Sequence, residues 1–134
     1  MNRRQKALLR ETVVVLSVTV AVLIGMLNLK DWINRREAMR AMHQLAESIQ
    51  DYRTTYQSVP ARDFVDAQIP TLSGHVRLGK LTYRAAEITL DSADDEILAY
   101  TEQHYRSLFV NSGYIVMHLD GTVLWREQGE FQAE

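Results

Sequence analysis

The feature that most constrains this chain is a run of 18 residues without a charged side chain, residues 12–29, close to the N-terminus. Val, Leu, Ile and Ala dominate the run, so a helix formed by it is apolar on every side. At about 1.5 Å per residue this helix is roughly 27 Å long, close to the ~30 Å hydrocarbon core of a bilayer. The run therefore predicts a transmembrane helix over residues 12–29.

Two other interpretations compete with a permanent anchor. A cleaved secretory signal has a shorter apolar region and a small-residue cleavage site behind it. The sequence that follows this run is NLKDWINRREAMR, which contains no such site. The core helix of a soluble protein is the other alternative. We expect an uncleaved anchor, with Trp32 at the membrane interface.

Charge is distributed unevenly along the chain. Residues 1–40 carry eight Lys/Arg and three Asp/Glu, a balance of +5, whereas residues 41–134 carry seven and fourteen, a balance of −7. This division predicts a basic membrane-proximal end and an acidic soluble end, and it argues against a nucleic-acid-binding protein. The chain has no Cys, which excludes disulfides and thiolate metal sites.

The orientation of the span is not decided by charge, because four Lys/Arg precede residues 12–29 and four follow them within a short distance. The short basic leader, residues 1–11, is the easier end to leave in the cytoplasm. We therefore expect a single pass with a cytoplasmic N-terminus and an exported C-terminal domain.

The helical pattern continues beyond the span as an amphipathic extension over residues 30–57, which contain no Pro and no Gly. Pro60 ends the pattern because it disfavours helix in the residue before it. One helix from about Ala7 to Gln57 is the prediction. Its second half has an apolar stripe that packs either on the protein's own domain or in a coiled coil with another chain. The stripe is spaced 3, 4, 3, 4 and consists of Met42, Leu45, Ile49, Tyr52 and Tyr56.

Residues 58–134 form a small domain that gains much from packing on the stripe. The segment ARDFVDAQ predicts a short helix, and GYIVMHLD and TVLWRE predict strands with alternating faces. Asp120 and Gly121 between these strands are a hairpin signal. The expected fold is α+β, with one long helix covering a small antiparallel sheet of three to four strands.

This outline resembles type IV pilin-like proteins, and among them the pseudopilins of type II secretion. The segment KALLRE, beginning at Lys6 and Ala7, lies where that family has Gly-Phe-Thr-Leu-Ile-Glu, and Glu11 matches the family's glutamate. DYRTTYQSVPA resembles the family's turn after the helix. The C-terminal segment resembles the hairpin of prepilin-type H-X9-DG proteins, with Val110 in place of the histidine. The matching residues are Ile97, Leu98, Ala99, Tyr100, Asp120 and Gly121.

The resemblance implies a bacterial inner-membrane protein with a periplasmic, pilin-like β domain that works in protein transport. Lys6 and Ala7 make a degenerate processing site, so we expect a permanently anchored protein rather than a cleaved filament subunit. The family glutamate pairs with a neighbouring subunit, which makes Glu11 and its neighbour Arg10 candidate assembly residues. The alternative is that both charges lie at headgroup level, where the helix dipole favours Glu11.

The sequence carries few signs of chemistry. Asp91, Asp94 and Asp95 offer oxygen ligands that suit calcium, but a solvated acidic turn is the competing interpretation. His118 and Asp120 share a strand face and are expected to form a surface pair. No nucleophile elbow, phosphate loop or dinucleotide fingerprint is present, so we expect no enzyme, no cofactor and no small-molecule substrate.

Two functions follow from these expectations. The first is a membrane-anchored structural or assembly protein that contacts pilin-like or secretion-machine subunits through its N-terminal helix. The second is a single-pass, membrane-tethered periplasmic binding module that takes no part in a filament.

Overall fold

The structure is a computed structural model of the 134-residue chain and describes residues 1–89, 91–106 and 111–131. It confirms the α+β class: a long N-terminal helix packs against one antiparallel sheet with strand order β1-β2-β3-β4. Val110, which takes the histidine's place in the resemblance, lies outside the described residues. The helices are α1 (Arg3–Tyr56), α2 (Arg62–Gln68), α3 (His75–Leu78) and α4 (Gln128–Phe131), and the strands are β1 (Leu81–Tyr83), β2 (Ile97–Thr101), β3 (Gly113–His118) and β4 (Val123–Glu127).

Helix α1 runs for 54 residues without interruption, about 81 Å at about 1.5 Å per residue. It begins at Arg3, earlier than the predicted Ala7, because the backbone N–H of Asn2 is satisfied by Gln5 Oε1 at 2.9 Å. It ends where Gln57 adopts a left-handed conformation with φ of 52°, and the Gln57 N–H bonds the Arg53 carbonyl at 2.9 Å.

The apolar stripe packs on the protein's own domain along most of its length. Met42, Leu45 and Ile49 are fully buried in one core with residues of the sheet and of the short helices. The prediction is wrong at Tyr56, whose side chain is 65% exposed. Tyr52 is half-buried and contacts Phe64 of α2, with ring centroids 4.7 Å apart. The last turn of α1 therefore places Tyr56 outside the core.

Strand β3 is more deeply buried than the sequence predicts. Ile115, Val116 and Met117 are each 0% exposed, so the expected alternation of covered and open positions is wrong there. The reason is that β3 is an inner strand. Ile115 and Met117 join the core under α1, while Val116 lies between Tyr100 of β2 and Leu124 of β4 on the other face.

The turn between β3 and β4 is built on Asp120 and Gly121. Gly121 has φ of 88°, a conformation that favours glycine, and the Thr122 N–H donates to Asp120 Oδ1 at 2.8 Å. Hydrogen bonds from the Thr122 side chain and from its backbone N–H hold the pKa of the Asp120 carboxyl below its usual range. The Gln50 side chain of α1 donates to the Leu119 carbonyl at 2.9 Å, which fixes the turn to the distal end of the helix.

Candidate functional site

The N-terminal half of α1 projects away from the rest of the chain. It is long and apolar enough to cross a membrane, and its most apolar 18-residue window is 0% buried. All of residues 3–27 are exposed, including Val15 and Leu16 at 64% and 59%. A core helix of this chain would bury these side chains, so that alternative is wrong. An apolar surface of this size needs a partner of its own, such as lipid or another helix.

Arg10 and Glu11 lie on this projecting half as exposed, consecutive residues of α1. Within the described part of the chain neither side chain belongs to an ion pair. Their side chains diverge by roughly 100° around the helix, as expected for neighbours in sequence. Lys6 and Ala7 continue the same helix, and the Lys6 N–H bonds the Asn2 carbonyl at 3.1 Å.

Sequence reasoning missed a row of three small residues within the span, Ser17, Ala21 and Gly25. A spacing of four residues puts them on one side of α1, and this spacing is the signal that could have found them. A Cβ built at Gly25 meets no heavy atom within 4 Å. Small residues at this spacing let two membrane helices approach closely. We call these three residues the small row.

The part of the chain that follows α1, residues 58–131 as described, is called the soluble domain, and α3 holds its end nearest the exposed apolar half against α1. A Cβ built at Gly74 would lie 2.9 Å from the Glu37 carbonyl oxygen, so the two backbones are in close contact. Arg77 Nε lies 3.5 Å from Glu37 Oε2. The Tyr105 hydroxyl donates to the Arg77 carbonyl at 2.7 Å, and burial raises the pKa of this hydroxyl.

Below this contact lies an open cavity of about 310 Å³ between α1 and the underside of the domain. We call it the basal groove. Asp31 and Asn34 of α1 form one side, and Arg77, His104 and Arg106 contribute the basic side chains. The other lining residues are Val76, Gln103 and Tyr105.

Two arginines of α1 near the groove each lie over a tryptophan ring. The Arg36 guanidinium carbon lies 5.0 Å from the centroid of the Trp32 ring, and that of Arg35 lies 5.2 Å from the centroid of Trp125 in β4. Trp32 is exposed, whereas Trp125 is packed against the core. This part of α1 therefore presents cations and an aromatic ring directly after the apolar half ends.

The acidic turn does not gather its carboxylates. Asp91, Asp94 and Asp95 are all exposed, and no group of three or more His, Asp or Glu among the described residues could hold a metal ion. The main chain of this turn has a structural role instead, because the Asp94 carbonyl accepts a hydrogen bond from the Asp120 N–H at 3.0 Å. His118 is only 6% exposed, and its Nδ1 donates to the Asp95 carbonyl. The prediction that His118 lies at the surface is therefore wrong.

A second cleft of about 370 Å³ lies at the opposite, distal end of the domain. Its lining is polar and includes Gln50, Arg53 and Asp94. The Arg53 guanidinium already donates to the Leu119 carbonyl, as Gln50 does. This cleft therefore belongs to the packing between α1 and the hairpin turn.

Three features define the candidate site. They are the exposed apolar half of α1, the small row within that half, and the basal groove where the soluble domain begins. Comparisons of the chain with protein-family models, curated proteins and solved structures found no match.

Proposed function

We propose that this chain is a membrane-anchored, pilin-like structural protein that assembles with other subunits of a type II secretion or type IV pilus-like machine. The observation that carries the proposal is the unbroken helix α1. Its apolar half is exposed, while its amphipathic half packs against the sheet. In this arrangement any movement or contact of the membrane half is transmitted to the soluble domain, because a continuous helix is stiff.

The proposed topology is a single pass through the bacterial inner membrane, with residues 1–11 in the cytoplasm and the sheet in the periplasm. Arg10 and Glu11 then lie at the cytoplasmic boundary, where a neighbouring subunit or headgroups compensate their charges. Alkaline phosphatase fused after residue 134 is expected to be active, and the same enzyme fused before residue 1 inactive. The opposite pattern would overturn the topology.

Helix-to-helix contact in the membrane tests the assembly role. The chain has no Cys, so single cysteines placed within residues 13–24 report contacts without background. We expect oxidative crosslinks between copies, or to a pilin-like partner, at Ser17, Ala21 and Ile24. The positions on the other side of the helix, Leu16, Thr19 and Leu23, should crosslink several-fold less.

A cysteine at exposed Glu47, outside the span, is the matched control for random collision. Uniformly weak crosslinking at all positions of a membrane-inserted protein would contradict the assembly role and leave the tethered binding module. The mass of the N-terminal peptide tests processing separately. We propose an uncleaved chain that retains residues 1–6, and a mature N-terminus at Ala7 would show cleavage instead.

A further inference from the structure

The distance along α1 between the end of the apolar run and the start of the domain core sets how far the soluble domain lies from the hydrocarbon. The apolar run ends at Leu29, and the first fully buried residue of the domain core on α1 is Ala38. These two residues are separated by about 13 Å along the helix axis. The headgroup layer on each side of a bilayer is about 5–7 Å thick, which corresponds to roughly three to five helical residues. With Leu29 at the edge of the hydrocarbon, this layer covers roughly residues 30–34.

The basal groove lies at this depth, because Asp31 and Asn34 form its wall on α1. Arg77 reaches lower still, since it also borders a shallow apolar depression formed by Met26, Leu29 and Ile33. The underside of the domain is therefore at the level of the headgroups. No segment of α1 separates the domain from the headgroup layer.

The chemistry of the groove suits anionic headgroups. Arg77 and Arg106 line it, and Lys30 lies beside it on α1. Asp31 is the acid within the groove, and Glu37 pairs with Arg77 from the turn above at 3.5 Å between exposed side chains. An exposed pair of this kind is weak, so the Arg77 guanidinium remains able to bind phosphate. Val76, 76% exposed, adds an apolar side chain that suits the interface.

We propose that the basal groove binds the headgroups of anionic phospholipids, so that the soluble domain rests directly on the outer surface of the membrane. The inference depends on the membrane anchorage proposed above. Its consequence is that the bilayer fixes the height and tilt of the sheet, and with them the direction in which the distal hairpin turn points.

The test uses the full chain in nanodiscs of phosphatidylcholine alone or mixed with phosphatidylglycerol, doped with a nickel-chelating lipid. Nitroxide labels are attached to three separate variants, Val76→Cys at the groove, Ser58→Cys just beyond the distal end of α1 and Val18→Cys within the span. Ser58 is exposed and lies about 40 Å along the helix axis from residue 30. We expect the nickel lipid to relax the label at residue 76 several-fold more than the label at residue 58, and more strongly when phosphatidylglycerol is present.

A charge variant then assigns the lipid preference to the groove. Arg106→Gln is expected to remove most of the increase that phosphatidylglycerol causes at residue 76, because it deletes one exposed guanidinium. The matched control is Arg84→Gln, which makes the same change outside the groove at a residue paired with Glu87 at 2.7 Å. That control should keep the full increase.

The outcomes separate this inference from the proposed function. If the label at residue 18 is inaccessible to membrane-soluble oxygen, the anchor fails and the inference fails with it. If residue 18 is inserted but residue 76 is relaxed no more than residue 58, only the basal groove proposal is overturned. Equal relaxation in both lipids, or an equal loss in Arg106→Gln and Arg84→Gln, would likewise overturn the binding of anionic headgroups.

Discussion

At the scale of single residues, the hydroxyl of Tyr83 links β1 to the segment that follows α1. It donates a hydrogen bond to the Pro60 carbonyl at 2.7 Å. Burial, together with the nearby Tyr52, raises the pKa of Tyr83 well above its usual range, although Arg53 acts in the opposite direction. The neutral hydroxyl is thus favoured by the folded state.

This pKa shift predicts a loss of stability at high pH. An unfolded tyrosine releases its proton near pH ~10, whereas folded Tyr83 still holds it, so its contribution is complete below about pH 10 and declines above it. Tyr83→Phe removes the hydrogen bond and should lower the free energy of unfolding by about 1 kcal/mol at neutral pH. The free energy of unfolding of this variant should also decline less steeply at alkaline pH. Urea unfolding at about pH 8 and about pH 11 measures both, with exposed Tyr56→Phe as the control. An equally steep decline in Tyr83→Phe would contradict this account.

Gly113 gives a second prediction at this scale. A Cβ at this position would lie 2.3 Å from the Arg126 carbonyl oxygen and 2.9 Å from the Trp125 ring, neither of which can move without disturbing β4. Gly113→Ala should therefore destabilise the domain by about 1–3 kcal/mol. The control is Gly129→Ala, where a Cβ meets nothing within 4 Å. Thermal unfolding followed by circular dichroism distinguishes them, and equal midpoints would contradict the close contact.

At the scale of elements, α1 is one helix with two surroundings. Its C-terminal half is stabilised by burial of Met42, Leu45 and Ile49 against the sheet. The apolar window of its N-terminal half is 0% buried by the part of the chain that the structure describes, so this half depends on its environment. The two halves differ only in their packing, because the hydrogen-bonded helix continues from Arg3 to Tyr56.

The small row predicts how the N-terminal half associates. Gly25→Leu adds a bulky side chain to the face through which two helices would approach, so dimers in membranes should be several-fold less abundant. Leu23→Phe enlarges a side chain on roughly the opposite side of the same helix and should have little effect. Energy transfer between labelled copies in liposomes measures the association. Equal effects of the two variants would exclude the small row as the contact.

At the scale of the whole molecule, the chain divides into a projecting helix and a self-contained domain. The first residue of α1 that is even partly covered is Asn28, and fully buried residues begin at Ala38. Residues 3–27 are thus exposed, and the continuous helix α1 joins them to the domain.

A truncated chain that begins at residue 28 tests this division. It should remain folded in water, with a thermal midpoint close to that of the full chain in detergent, since no side chain it lacks is buried by the domain. The matched comparison is a chain that begins at residue 44, which lacks the buried Ala38, Ala41 and Met42 and should not fold. If the chain that begins at residue 28 were unfolded, the membrane half would be shown to support the domain.

Much of this architecture is predictable from the sequence because its causes are local in the chain. The charge-free run, the spacing of Met42, Leu45 and Ile49, and the absence of Pro and Gly from residues 30–57 all act within a few turns of one helix. The same holds for the hairpin turn, where Gly121 supplies a left-handed backbone. The exposure of Tyr56 was not predictable, because it depends on where the sheet ends.

The candidate site divides in the same way. The sequence by itself determined the apolar half of α1 and the positions of Arg10, Glu11 and the small row, since each depends only on helical periodicity. Only the tertiary structure decided that His118 is buried, that the acidic turn holds the hairpin through its main chain, and that Arg77 and Arg106 meet Asp31 in one groove. Those residues are far apart in sequence, and packing of the sheet against α1 brings them together.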